Sequence, residues 1–365
     1  MKSVYTPNDF LTLPSDAEMI QAAVDAAREC GASVIIPAIN EKTGKRLWEI
    51  DKSIILYTGS YVVLDNAHIR LADDTFIHFF ANEAAVGDGW WKSENRNYDI
   101  TLLGRGNALL DGGNHNGIFE RSFNRYDENK NFIGRVPEVK GQKTIAVNRG
   151  LCFRNVNGIS VSGLKFVNQR YWAMCFEFCS YGHVSDIIFD ALANVPNQDG
   201  IDIRVGCNNF LVENISGKTG DDTVALTNFG LSPDVGGNDA TDMDVDIHDV
   251  IIKNVRSYQP DLCDMIRILS RGGNKIYNVQ ISGVIDLTTE RSEDRALCGV
   301  MIGALCDYPS RLNELGEVRN ITIRDVVTRA RFGIYVANTL CDSVFENIMM
   351  TGDGGNRYLF QRLRA

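Results

Sequence analysis

Short apolar segments recur along most of the chain with the spacing apolar-x-x-apolar-x-apolar. Examples are Ile159–Phe166 (ISVSGLKF), Val184–Phe189 (VSDIIF), Phe210–Ile215 (FLVENI) and Ile247–Ile252 (IHDVII). Further on come Ile276–Ile281 (IYNVQI), Val318–Ile323 (VRNITI) and Val344–Ile348 (VFENI). Their first residues lie 25, 26, 37, 29, 42 and 26 positions apart, a base period near 25 lengthened by loops. A unit this short cannot bury its own apolar face and must stack on its neighbours. β-Branched residues dominate, the leucine-rich consensus is missing, and a propeller blade needs a period of ~40 or more. The pattern predicts an all-β chain, a right-handed parallel β-helix solenoid. An Asn or Asp often precedes the second apolar position.

The first fifty residues differ. Ser15 followed by Glu18 forms a capping box, and Met19, Ile20, Ala23, Val24 and Ala27 recur at helical spacing until Gly31. A helix over about 15–30 is predicted, capping the first coil against edge pairing, with a buried strand at 33–37. No linker is visible, so residues 1–365 read as one domain with a cap region over 1–50.

A second strand recurs in each coil: Trp172–Phe176, Asp199–Ile203, Asp222–Leu226, Asp264–Ile268, Cys298–Ile302 and Phe332–Val336. Aligning its inward apolar pairs places Trp172, Asp199, Asp222, Asp264, Cys298 and Phe332 in one column. Coils are ~4.8 Å apart, so three carboxylates stack on adjacent turns with Asp221 beside Asp222. The outward positions between the inward pairs are Cys175, Asp202, Ala225, Arg267, Met301 and Tyr335. Asp202, Arg267 and Tyr335 are thus expected to flank the column on the solvent face. Like charges this close oppose one another's ionisation, so carboxyl pKa values should rise. A lone Asp-Gly would be an Asx turn. An aligned stack gives a structural protein little and points to acid–base chemistry.

Composition narrows the partners. The net charge is −10, only 23% of residues are charged, and 44% are hydrophobic. Disorder and a nucleic-acid face are not expected. No apolar run reaches the ~18 residues of a membrane span, and residues 1–14 do not read as a signal peptide. The expectation is cytoplasmic, or secreted if a leader was removed. The nine cysteines are scattered without a C-x-x-C pair and read as reduced, buried small side chains. The histidines show no metal-ligand spacing, so no metal or cofactor is expected. Trp90, Trp91 and Trp172 suit either a sugar cleft or packing, and the long polar segment 122–143 suits a cleft wall or a flap.

Asn197–Asp202 (NQDGID) resembles the Asn-x-Asp-Gly motif of glycoside hydrolase family 28, the polygalacturonase-type enzymes. Gly220–Leu226 (GDDTVAL) resembles that family's Gly-Asp-Asp motif, and the 22 residues from Asp199 to Asp221 match its spacing. The resemblance implies hydrolysis with inversion on an oligo- or polysaccharide. Asp221 would be the general acid and Asp199 and Asp222 would activate water. Asn197, Asp202, Arg204, Asp264, Arg267 and Tyr335 are the candidate substrate-binding residues. Inversion ordinarily needs acid and base ~6.5–9.5 Å apart.

Two departures stand out. The family's Gly-His-Gly motif is absent from 228–244, and His248 reads as a surface or packing residue. Arg267 has no lysine two positions on, so a neutral or differently charged sugar fits as well as a galacturonate. Two other classes compete. In a calcium-dependent polysaccharide lyase the carboxylates hold Ca²⁺ and Arg267 or Arg204 takes the proton. A non-catalytic carbohydrate-binding β-helix needs neither.

Overall fold

The computed structural model describes residues 2–73, 75–114, 124–126, 132–135, 149–193, 197–231, 241–258, 263–288, 295–303, 313–351 and 358–362. It is a right-handed parallel β-helix closed at its N-terminal end by an α-helix. Among the described residues two large parallel sheets run along the solenoid, one of 15 and one of 10 strands, and each strand pairs with its counterpart one coil away. The only antiparallel pair among the described strands is Asn124–Tyr126 with Phe132–Arg135. Most of segment 122–143, expected as a wall or flap, lies outside the described residues. No helix among the described residues is long and apolar enough to cross a membrane.

The larger sheet carries the long strands Ser180–Asp190, Asn208–Lys218, Ile247–Tyr258, Ile276–Asp286 and Val318–Thr328. The Asn and Asp residues of the sequence pattern bend them. Asp186, Asn214 and Asn254 all have φ between 56° and 59°, a left-handed conformation these side chains tolerate. They form a ladder: Asn254 donates to Asn214 and Asn214 to Asp186, each at 3.1 Å. Asn320, Asn278 and Asp249 make a second one.

The register of this sheet corrects the period read from the sequence. Ile159 stands beside Gly182 rather than Val184, and Phe210 beside Val250 rather than Ile247. The cause of the first shift is a shared position. A Cβ on Gly182 would sit 2.2 Å from the Phe210 ring, so the aromatic of one coil fills the space its neighbour leaves. Matching apolar letters passes over such a glycine.

In the smaller sheet the predicted rows hold. Met174, Ile201, Val224, Ile266, Val300 and Ile334 are successive partners, as are Cys175, Asp202, Ala225, Arg267, Met301 and Tyr335. The first row is buried in the core that runs through the solenoid.

The helix Asp16–Cys30 lies across the first coils and buries Met19, Ile20, Ala23 and Val24. The Ser15 hydroxyl accepts the Glu18 N–H at 3.2 Å, and Gly31 (φ 67°) ends the helix. Gln21 bonds both backbone groups of Ile55, tying the helix to the first strand of the smaller sheet.

Candidate active site

The outer face of the smaller sheet presents the carboxylates. Asp199 precedes Gly200, where a Cβ would lie 2.5 Å from the Thr223 carbonyl of the next coil. Glycine therefore lets the coils close just after the acid. The Gly200 N–H donates to the Asp222 carbonyl at 2.9 Å, and the Asp264 N–H donates to Asp222 Oδ1 at 2.8 Å. Asp199, Asp222 and Asp264 thus follow one another coil by coil, with Asp264 paired in turn with Cys298. One oxygen each from Asp199, Asp221 and Asp222 lies within 4.8 Å of the other two.

That spacing is tighter than the ~6.5–9.5 Å usual for inversion. It follows from the fold, since side chains on adjacent coils start only ~4.8 Å apart.

Asp221 differs from its neighbours in exposure. Asp199, Asp202, Asp222 and Asp264 are 7%, 1%, 3% and 2% exposed, whereas Asp221 is half-buried. The Asp221 carboxyl accepts the Asn197 N–H at 3.3 Å and the Asp222 N–H at 3.0 Å, and its carbonyl accepts the Thr219 hydroxyl at 2.7 Å. Asn197 thus contributes its main chain, presented from a left-handed conformation with φ 60°.

Burial and mutual repulsion push the carboxyls up. Asp199 is raised by burial and then by Asp202, Asp221 and Asp222. Asp202 and Asp264 are likewise raised, burial first. Burial raises Asp221 despite Arg267 and the donors on its oxygens. Asp222 is pushed up to about 6, burial outweighing Arg267, whose Nη1 lies 3.5 Å from Asp222 Oδ2. Five carboxyls share this face, and the guanidinium of Arg267 beside Asp222 opposes a cation there.

The remaining expected residues fall on the same face with two corrections, to the exposure of Asp202 and Tyr335 and to the place of Tyr335. Asp202 and Tyr335 occupy the outward row but are buried, at 1% and 3% exposure, instead of facing solvent. Tyr335 is covered because Leu297, Cys298, Met301, Phe332 and Ala337 cluster around it, its ring 4.7 Å from that of Phe332. It stands three coils beyond Ala225, away from the carboxylates. Arg204 lies 3.9 Å from Asp202 and 4.5 Å from the half-buried Trp172 ring, which stacks on Tyr171. Trp90 is packing, wedged among Trp91, Phe178 and Arg154. His248 lies on the other sheet, stacked on Tyr277 and bonded to Asp249.

Sequence reasoning missed an ionic cluster beside the column. Arg149, Arg154 and Arg204 converge on the fully buried Glu177; Arg154 bonds it, with Arg149 at 3.4 Å and Arg204 at 3.8 Å. Burial alone would raise Glu177, but the three cations hold it below the usual carboxylate range. The signal was present: Arg154, Glu177 and Arg204 are the outward residues two positions past Cys152, Cys175 and Asp202.

Residues 85–232 match the model of the glycosyl hydrolases family 28. Among solved structures the chain is similar to the family 28 exopolygalacturonase of Yersinia enterocolitica (12% identity, 99% of this chain and 78% of that one, TM-score 0.47). It is also similar to the polygalacturonase of Erwinia carotovora ssp. carotovora (12% identity, 94% of each chain, TM-score 0.47). A mutant tailspike protein of E. coli bacteriophage HK620, in complex with a hexasaccharide, superposes with a TM-score of 0.57 at 11% identity, over 99% of this chain and 65% of that one. This last likeness is one of fold. No curated protein matches the chain. The resemblance to glycosyl hydrolases family 28 is carried by residues 85–232, the stretch that holds Asn197, Asp199, Asp221 and Asp222.

Proposed function

We propose that the protein hydrolyses glycosidic bonds of an oligo- or polysaccharide at this carboxylate column. The observation that carries the reading is the approach of Asp199, Asp221 and Asp222 within 4.8 Å on neighbouring coils, with Asp221 alone of the three not fully buried. A proton donor must touch the leaving oxygen, and Asp221 is the member able to do so. Burial raises its pKa above the ordinary carboxylate value, the direction a proton donor needs. Asp222 is pushed up to about 6 by burial but is tied to Arg267 and to the Asp264 N–H, so it ionises as pH rises through that value and is available as the base at neutral pH. Asp199 helps to orient a water, and Asp222 takes that water's proton as the bond to the anomeric carbon forms. The family match over residues 85–232 supports the same roles.

Asp202, Asp264, Arg204 and Arg267 line the floor around these groups. Arg267, adjacent to the column, is the residue placed to meet a sugar substituent.

The stereochemical course gives the test. Proton NMR of the first product formed from a susceptible oligosaccharide should show the anomer opposite to the substrate's linkage. Retention of configuration would sink the direct attack of water and make one carboxylate a nucleophile, a role that spacing under ~5.5 Å also permits.

A further inference from the structure

One bend of the larger sheet falls at equivalent positions on successive coils: Asp99, Gly158, Tyr181, Asn209, Asp249, Asn278 and Asn320. All are left-handed, with φ between 51° and 81°. Asn, Asp and Gly take that conformation readily, whereas a bulky side chain is strained by it. Tyr181 is the aromatic exception, and its side chain returns nothing to the fold. It is 64% exposed, and among the described residues its ring stacks on no other ring and its hydroxyl has no hydrogen bond. Phe178, also left-handed at φ 52°, is the contrast. It is buried, its ring fills the space a Cβ on Gly206 would take, and Trp90 packs on it at 5.8 Å.

Tyr181 lines a cleft of about 340 Å³ that spans the successive coils of Asn157, Ser180 and Asn208. Phe178 follows the last residue of a smaller-sheet strand, and Ser180 opens a strand of the larger sheet. The cleft therefore lies at the edge between the sheets, and none of Asp199, Asp221, Asp222 and Arg267 lines it. Phe178 and Met243 give it apolar surface, and Arg96, Ser180, Asn208, Asp242 and Asp244 give it polar groups. Neighbours hold the charged ones in place. Arg96 Nε donates to Asn155 at 3.0 Å, and Asp244 accepts the Asp246 N–H at 2.9 Å. The Ser93 hydroxyl and N–H, the latter at 3.0 Å, bond Asp242 and hold it below the usual carboxylate range.

A bare aromatic ring beside fixed donors and acceptors suits a sugar unit, whose C–H face lies on the ring while its hydroxyls meet the polar groups. Two carboxylates against one guanidinium leave the cleft net anionic, which disfavours a uronate or a sulfated unit. We propose that this cleft is a second saccharide-binding site, taking a neutral sugar unit on Tyr181 and holding a glycan chain away from the carboxylate column. That the chain is the substrate rests on the hydrolase reading; the binding does not.

The test is affinity electrophoresis of the full-length protein through native gels containing galactan, arabinan, xyloglucan or galactomannan, with polygalacturonate as the charged comparison. Asp221→Asn is the parent in every lane, so that the polymer stays uncut, and Tyr181→Asn and Tyr181→Phe are added to it. At least one neutral polysaccharide should retard the parent. Tyr181→Asn should raise the dissociation constant on the order of tenfold, and Tyr181→Phe, which keeps the ring, should bind as the parent does. Because other coils carry Asn at this bend, Tyr181→Asn should fold with a Tm no lower than the parent's. Equal retardation of the parent and Tyr181→Asn, equal loss in Tyr181→Phe, no retardation by any neutral polysaccharide, or a lowered Tm in Tyr181→Asn would each overturn the proposal. Neither readout needs turnover, so a wild type that cuts none of these polymers would remove the hydrolase reading and leave this test in force.

Discussion

Asp264 is a residue whose charge costs the fold. It is 2% exposed, its Oδ1 has no hydrogen-bond partner, and burial followed by Asp222 raises its pKa. Where the folded-state pKa lies above the unfolded one, the folded state holds more protons between the two values. Stability from such a group is greatest at low pH and falls as pH rises through that window. For Asp222 the window runs from the ordinary carboxylate value to about 6. Asp264→Asn should therefore raise Tm at pH 7, by on the order of 1–3 kcal/mol in stability, with a smaller gain at pH 4. Calorimetry at both pH values checks this, and a loss of Tm at pH 7 would contradict it. Glu177 is the reverse case. Its removal in Glu177→Ala leaves three arginines without their anion and should cost about 3–5 kcal/mol, read from the urea midpoint. At this scale the sequence was informative for the carboxylates and not for their surroundings. Asp199, Asp221 and Asp222 were legible because an independent apolar register aligned them. The burial of Asp202 and Tyr335 and the gathering of arginines on Glu177 were not. An outward Asp, Tyr or Arg reads the same whether it meets water or a covering cluster.

At the scale of the strand, the positions that mattered most carried the least apolar signal. The smaller sheet was legible in full register because each coil keeps both inward apolar residues, as in Ile201 with Ile203 and Val224 with Leu226. The larger sheet was misread by two positions where Gly182 yields its place to Phe210, by three between Phe210 and Ile247, and by four at Val344, which pairs with Thr322. The Asn and Asp of the repeat were visible as letters, but their left-handed bends and side-chain ladders belong to the stacked coils. Gly182→Ala should therefore destabilise more than an exposed strand substitution. The added methyl meets the Phe210 ring at 2.2 Å, and an overpacked core costs about 1–3 kcal/mol. A chemical denaturation midpoint unchanged from wild type would show that the ring moves aside freely.

For the molecule as a whole, stacking makes the site. No single coil holds more than part of it: Asp199 comes from one, Asp221 and Asp222 from the next, and Asp264 and Arg267 from a third. The cap helix guards the first coils of the same stack, burying Met19 and Ile20 completely. The most direct test of hydrolysis at this column compares wild type with Asp221→Asn on a panel of plant-wall and other oligosaccharides, with and without a chelator, by mass spectrometry. Cleavage with gain of one water, abolished in the variant and indifferent to the chelator, is expected. Cleavage without water gain, activity lost on chelation, or full turnover by Asp221→Asn would contradict it.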